Sequence, residues 1–263
     1  MRLFTIGWII TLLVAGTVLQ TQAAPRWWQP QGQLRWHIQF TGPLRIPRNA
    51  HVVILDLFET DPATIRSLHR QGKRVVCYLN AGAWEDWRPD AGAYPPQLLG
   101  NDYDGWSGER WVDIRRIDLL GPLLEARLDL CRAKGFDGVD PDNMNGFQND
   151  TGFPLTQTDQ LRFNRWLAAE AHARGLAIGL KNDAEQARLL VGDFDWILVE
   201  SCSAQGWCDL TAPFRQARKP ILALEYVEDG MTKSRLCTVA QQYGLSAQIK
   251  RRQLDAWSQP CWS

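Results

Sequence analysis

The feature that most constrains this chain is an alternation. Short apolar runs rich in Val, Ile and Leu recur along it, separated by helical patterns or, once, by a long loop. VVILDLF (52–58) is followed by the helix start Thr60-Asp61-Pro62 and a helix through Arg70. RVVCYLN (74–80) leads into a stretch rich in Trp, Pro and Gly that ends at WVDI (111–114). A helix over 118–134 precedes FDGVD (136–140), and a helix over 156–174, opened by Thr156-Gln-Thr-Asp, precedes LAIGLKN (176–182). DWILVE (195–200), ILALEY (221–226) and SAQIK (246–250) complete a set of eight strands. Strands alternating with helices predict βαβ units and a parallel sheet. Four helices run into a glycine just before the next strand, at Gly72, Gly135, Gly175 and Gly244, the residue type that ends a helix in a left-handed turn. Eight such units in about 240 residues fit a single α/β domain, a (β/α)8 TIM barrel. WHIQF (36–40) then becomes a short extra N-terminal strand segment or a cover for the barrel bottom. A doubly wound open sheet is the competing architecture, but no G-x-G-x-x-G follows a strand, which weakens its dinucleotide-binding form.

The first 23 residues carry Arg2, an apolar core over 3–19 and a small-residue pattern at Thr21 and Ala23. That resembles a secretory signal peptide. The expected division is therefore a leader over 1–23 and one domain over 24–263, with the mature protein secreted or periplasmic, unattached to the membrane and monomeric. Export permits disulfides. Six cysteines allow 15 pairings; nearest-neighbour pairing, Cys77–Cys131, Cys202–Cys208 and Cys237–Cys261, is the expected one. There is no C-x-x-C pair and the four histidines are scattered, so no zinc site is expected. Lys+Arg and Asp+Glu each number 29, which leaves no electrostatic footprint for nucleic acid.

In a barrel of this kind the active site is built where the strands end. Reading each strand's last residues gives Asp56, then Tyr78 and Asn80, Asp113, Asp140 with Asp142, Lys181-Asn182-Asp183, Glu200, Glu225-Tyr226 and Lys250. Single polar residues at strand ends are ordinary turn chemistry; carboxylates on at least five of eight ends predict a functional rim. Facing carboxylates suit glycoside hydrolysis, where one protonates the leaving oxygen and the other attacks or activates water. No G-x-S-x-G, P-loop or H-E-x-x-H occurs, so those chemistries lose their signatures. Calcium on DPDNMN (140–145) stays an alternative, although the EF-hand spacing is missing. No cofactor is expected. Trp84 and Trp87, in AGAWEDWRPD, are placed to stack on sugars or to pack the loop; Tyr78 and Tyr226 offer hydroxyls at strand ends.

The segments DLFETDPATIRSLHRQGKRVVCYLNAGAWEDWRPD, GFDGVDPDNMNGFQNDTGFPLT, GLKND and WILVESC resemble the endo-α-1,4-polygalactosaminidases, glycoside hydrolase family 114, over nearly the whole chain from Trp36 to Gln259. The resemblance implies a secreted barrel that hydrolyses galactosamine-containing polysaccharide, a cationic amino-sugar polymer. The Asp of the family's "EPDN" motif falls on Asp142 and the Glu of its "NE" strand on Glu200. Two departures stand out: Asp140 replaces the Glu of EPDN, and Val199 precedes Glu200 where the family carries Asn. By analogy with retaining α-galactosidase-type barrels, Asp142 is expected to be the nucleophile and Glu200 the general acid/base. Lys181 and Asn182 would bind sugar hydroxyls or hold Asp142 ionised. Asp56, Asp140 and Glu225 would give the cleft its acidity, with Asn143 beside them. A carbohydrate-binding barrel without hydrolytic activity, or an α-galactosidase-like enzyme on neutral sugars, are the alternatives.

Overall fold

A computed structural model describes residues 27–262; the expected leader lies outside them. Eight parallel strands form one curved sheet in the order β1 (Trp36–Ile38), β2 (Val52–Asp56), β3 (Arg74–Asn80), β7 (Gly138–Asp142), β8 (Ala177–Lys181), β9 (Trp196–Glu200), β10 (Ile221–Tyr226) and β11 (Ser246–Lys250). A two-residue antiparallel strand, β12 (Gln259–Pro260), follows at the β11 edge. Helices α1 (Pro62–Arg70), α2 (Ile117–Lys134), α3 (Gln157–Ala173) and α7 (Lys233–Tyr243), with the short α4 (Ala187–Leu190), α5 (Cys202–Gln205) and α6 (Ala212–Gln216), connect the strands. This is the α/β barrel expected. The two ends of the sheet meet through side chains: the Trp36 indole donates to the Ser246 carbonyl at 2.7 Å, and the Leu34 N–H donates to the Ser246 hydroxyl at 2.8 Å.

The strand count holds but its membership changes. The N-terminal strand is present and pairs in register with β2, so it belongs to the barrel itself. WVDI does not. Its residues end β6 (Glu109–Val112), which pairs antiparallel with β4 (Ala83–Glu85) and β5 (Leu99–Asp102) in a separate three-stranded sheet. The physical reason is connectivity. A parallel neighbour needs a crossover, usually a helix, and residues 81–110 supply turns and Pro95-Pro96 instead. They fold back on themselves as an insertion over the barrel mouth.

Alternation along each strand splits the core in two. One face points into the barrel, where Trp36, Ile54, Val76, Trp196, Leu198 and Leu224 pack; the other, with Val53, Val75, Val139, Ile178, Ile197 and Ile249, meets the helices. Trp196 fills the barrel interior only because Gly179 lies beside it: a Cβ there would stand 2.1 Å from the indole Nε1. Gly179→Ala should therefore cost about 1–3 kcal/mol as the ring is displaced, read as a lowered urea midpoint at unchanged slope. At the N-terminal end Trp27 stacks on His172 at 3.9 Å, donates to Asp195 at 3.1 Å, and with Trp28 covers the bottom. The four expected helix-ending glycines all have positive φ, between 72° and 97°. The disulfides are Cys77–Cys131, tying β3 to α2, Cys202–Cys208, closing the loop after β9, and Cys237–Cys261, tying α7 to the C-terminal segment. Among the described residues no helix is long and apolar enough to cross a membrane.

Candidate active site

The strand ends and the insertion enclose a cleft of ≈ 760 Å³. At its base, β7, β8 and β9 deliver Asp142, Lys181 and Glu200. The Lys181 ammonium donates to Asp142 Oδ1 at 3.0 Å and stands 3.4 Å from Glu200 Oε2. Tyr78 donates its hydroxyl to Asp142 Oδ2 at 2.9 Å, and the Asn143 N–H donates to Oδ1 at 2.8 Å. Tyr226 donates to Glu200 Oε1. The 3.0 Å and 3.4 Å legs laid end to end cap the distance between the two Lys181-facing carboxylate oxygens at 6.4 Å.

Local backbone geometry explains why these side chains converge. Immediately past each of the three strands the chain turns through left-handed φ: Asn143 at 61°, Asn182 at 53° with Asp183 at 39°, and Ser201 at 55°. Asn and Asp tolerate that region better than most residues. Asn182 also accepts the Glu200 N–H on its Oδ1 at 3.0 Å, so it fixes the β9 end from β8. Gly82 permits the insertion to pass this corner, since a Cβ there would lie 1.8 Å from the Asn143 carbonyl oxygen.

Electrostatics distinguish the groups. Burial pushes the Asp142 carboxyl up, but the Lys181 charge, its hydrogen bond and those from Tyr78 and the Asn143 N–H hold it below the ordinary value. Burial alone would lower the Lys181 ammonium; Asp142, Glu200 and Asp140 together raise it and keep it charged. Burial, then the Glu200 charge and hydrogen bond, hold the Tyr226 phenol well above its usual range. One carboxylate is thus held ionised, and a second shares its cation across the cleft floor.

The other expected site residues divide. Asp56, Tyr78, Asn143, Lys181, Asn182 and Tyr226 line the cleft. Asp56 does so with its carboxylate engaged by the Phe58 and Glu59 N–H groups and by Arg88 at 2.8 Å. Asp140 does not line it: the side chain is fully buried beneath Asp142, both oxygens unpartnered among the described residues, and burial raises it to about 7. Strand alternation puts Asp140 and Asp142 on the same inward face, and Asp140 one layer too deep to meet a sugar. Glu225 is also fully buried, accepting the Ser203 and Ala204 N–H groups at 2.7 and 3.1 Å; it faces outward on its strand and fastens the loop after β9. Trp84 leaves the cleft too, donating its indole N–H to the Ala91 carbonyl at 3.0 Å, whereas Trp87 lines it with half its surface exposed. Asp113 sits beyond the insertion paired with Arg115, and Lys250 is buried on the Asp255 carbonyl. Asp140 and Asp142 therefore do not form a calcium pair: the first is buried, the second taken by Lys181.

The strand-end rule missed the insertion's contribution. Tyr103, Trp106 and Glu109 line the cleft from above, and Trp207 and Arg252 line it from later loops. Arg88 clamps the insertion to the barrel, binding both oxygens of Glu85 and one of Asp56. Arg127 of α2 does the same from below, with two bonds to Asp90 and one to the Asn80 carbonyl. Glu109 starts its strand instead of ending it, so nothing in the strand-end pattern singled it out.

Comparison with known proteins agrees with this geometry. The chain is similar to Ega3 of Aspergillus fumigatus, whose crystal structure holds galactosamine: 37% identity over 89% of this chain and 97% of that one, with a TM-score of 0.84. The glycoside hydrolase domain of PelA from Pseudomonas aeruginosa shares the fold, at 18% identity, 87% and 98% coverage and a TM-score of 0.68. An uncharacterised protein of Deinococcus radiodurans is 27% identical over 84% of this chain and 81% of its own length. The sequence model of glycoside-hydrolase family GH114 matches residues 17–263. A barrel with this match, carrying two carboxylates at its mouth, belongs to glycoside-hydrolase family GH114 and is a glycoside hydrolase.

Proposed function

We propose that this protein is an exported, endo-acting hydrolase of α-1,4-linked, galactosamine-containing polysaccharide, with Asp142 as nucleophile and Glu200 as general acid/base. The observation that carries the reading is the pair of carboxylates sharing the Lys181 ammonium at the cleft base. Their facing oxygens lie within 6.4 Å, a spacing compatible with the roughly 5–5.5 Å between the carboxyl groups of retaining pairs. Held ionised, Asp142 attacks the anomeric carbon as Glu200 protonates the departing oxygen. Glu200 then takes a proton from the water that hydrolyses the glycosyl-enzyme. Tyr226 and Asn182 fix the Glu200 carboxylate and its backbone for both steps.

The substrate class rests on charge and likeness. Asp56, Glu59, Glu85 and Glu185 border the cleft with the two catalytic carboxylates, while Arg88, Lys181 and Arg252 are already paired. An acidic cleft concentrates a cationic polymer, and the similar Ega3 was crystallised with galactosamine. Trp87 and Trp106, each about half exposed on the cleft lip, offer faces for further sugar rings. Export is supported by the leader-like N-terminus and by three disulfides, which suit an oxidising compartment. The mature protein is proposed to act as a monomer, in the periplasm or outside the cell.

The test is incubation with partly deacetylated α-1,4-galactosamine polymer. New reducing ends in a ladder of oligosaccharides are expected. Release of monosaccharide alone would replace endo with exo action. No products, alongside cleavage of aryl α-galactosides, would transfer the activity to neutral sugars.

A further inference from the structure

Among the inner carboxylates of the cleft, one is unemployed. Asp142, Glu200, Asp56 and Glu85 each answer a cation, and Asp183 holds Asn164 at 2.8 Å with its other oxygen shut inside the protein. Glu109 differs. Among the described residues its carboxylate has a single, long hydrogen bond, accepted by Oε2 from the Asn80 amide at 3.4 Å, and the side chain lines the cleft although the residue is only 8% exposed. The amide is aimed there by two other bonds, since Asn80 Oδ1 accepts the Ala83 N–H at 2.8 Å and the Asn143 amide at 3.1 Å. Asn80 stands directly opposite Asp142 in the β3–β7 register. Glu109 therefore overhangs the cleft floor beside Asp142, where a ring substituent next to the anomeric carbon of a sugar held on Asp142 can meet it.

We propose that Glu109 reads the C2 substituent of that sugar: its carboxylate pairs with a free ammonium and leaves an N-acetyl or hydroxyl group without a charge partner. This rests on Asp142 being the group at the anomeric carbon. The titratable and charged groups around Glu109 are Asp142, Glu85, Arg88, Tyr78 and Tyr103. Burial, followed by the Asp142 and Glu85 charges, raises the carboxyl to about 8 against the weaker pull of Arg88 and Asn80. At neutral pH Glu109 thus favours its protonated form, which spares the cleft a negative charge without a cation of its own beside Asp142. An arriving ammonium supplies the missing counter-charge, and the proton leaves to solvent as the pair forms. A polar group held for one partner discriminates strongly against an analogue that lacks it.

The experiment is titration calorimetry of galactosamine and of galactose against wild type and Glu109→Gln at pH 7. Wild type is expected to bind the amine at least about tenfold more tightly, and Glu109→Gln to bring the ratio near one while galactose affinity stays within about twofold. Equal weakening of both sugars, or no preference in wild type, overturns the assignment. If the variant does not fold, the wild-type ratio is followed from pH 6 to 9. It should rise toward about pH 8 as Glu109 gives up its proton and fall above that as the sugar ammonium loses its own, and a constant ratio counts against Glu109. Polymer cleavage by wild type is scored separately: its absence removes the proposed activity, whereas equal weakening in the binding assay removes only the role of Glu109.

Discussion

Asp142→Gly should lower turnover about 10⁴-fold, and added azide should restore it with formation of a β-glycosyl azide. The expectation follows from the proposed division of labour. With the side chain gone, a small anion fits the space it leaves next to the anomeric carbon and attacks the α-linked sugar from the opposite face, while Glu200 still protonates the leaving group. Glu200→Ala should fail differently. An activated substrate with a good leaving group would still form the glycosyl-enzyme on Asp142. Azide would then release it as the α-anomer, because two displacements restore the starting configuration. The anomer of the azide product, read by NMR, thus assigns both carboxylates independently. The same azide anomer from both variants would contradict the proposed roles, and full activity in both would remove the two residues from catalysis. Asp142→Gly also deletes the partner of Lys181 and Tyr78, so the comparison needs variants shown to unfold at temperatures near wild type.

Much of this site was legible in the sequence because a barrel makes function follow from strand position. Asp142, Lys181, Asn182, Glu200 and Tyr226 each end a strand or follow its last residue, and apolar alternation is enough to find a strand end. The ordinal places of β7 and β9, fourth and sixth, also survived the exchange of WVDI for Trp36–Ile38, because one strand was lost and one gained before them. What failed was depth and direction. Asp140 and Glu225 have the same strand-end signature as Asp142 and Tyr226, but one lies a layer lower and the other points to the helix side, and only the pleat resolves that. The insertion was illegible for a further reason. Its antiparallel pairings depend on contacts between residues far apart in a Pro- and Gly-rich loop, so the run before Asp113 looked like one more parallel strand. Glu109 was lost with it.

Lys181→Met is expected to lower kcat/KM about 10²-fold and to move the acidic limb of its pH profile upward by about 1–3 pH units. The sign follows from what holds Asp142. Burial raises that carboxyl and the Lys181 ammonium is the first of the influences that bring it below the ordinary value. With the cation replaced by an apolar chain of similar length, burial prevails, Asp142 takes up a proton at a higher pH, and the ionised nucleophile appears only above it. Because kcat/KM reports the free enzyme, the limb should move with the titration of Asp142 before substrate binds. Stability should follow the same sign. A carboxyl whose pKa is raised by folding favours the native state at low pH and loses that contribution as pH rises through the folded value. The deficit in melting temperature of Lys181→Met should accordingly be small near pH 5 and larger near pH 8, where Asp142 must ionise with Asp140 below it and no cation between it and Glu200. Two readings of Lys181 are separated by this experiment. If it held only sugar hydroxyls, KM would rise while the acidic limb stayed where wild type has it, and the melting deficit would not depend on pH. A limb that moves together with a pH-dependent deficit identifies Lys181 as the residue that keeps the nucleophile charged.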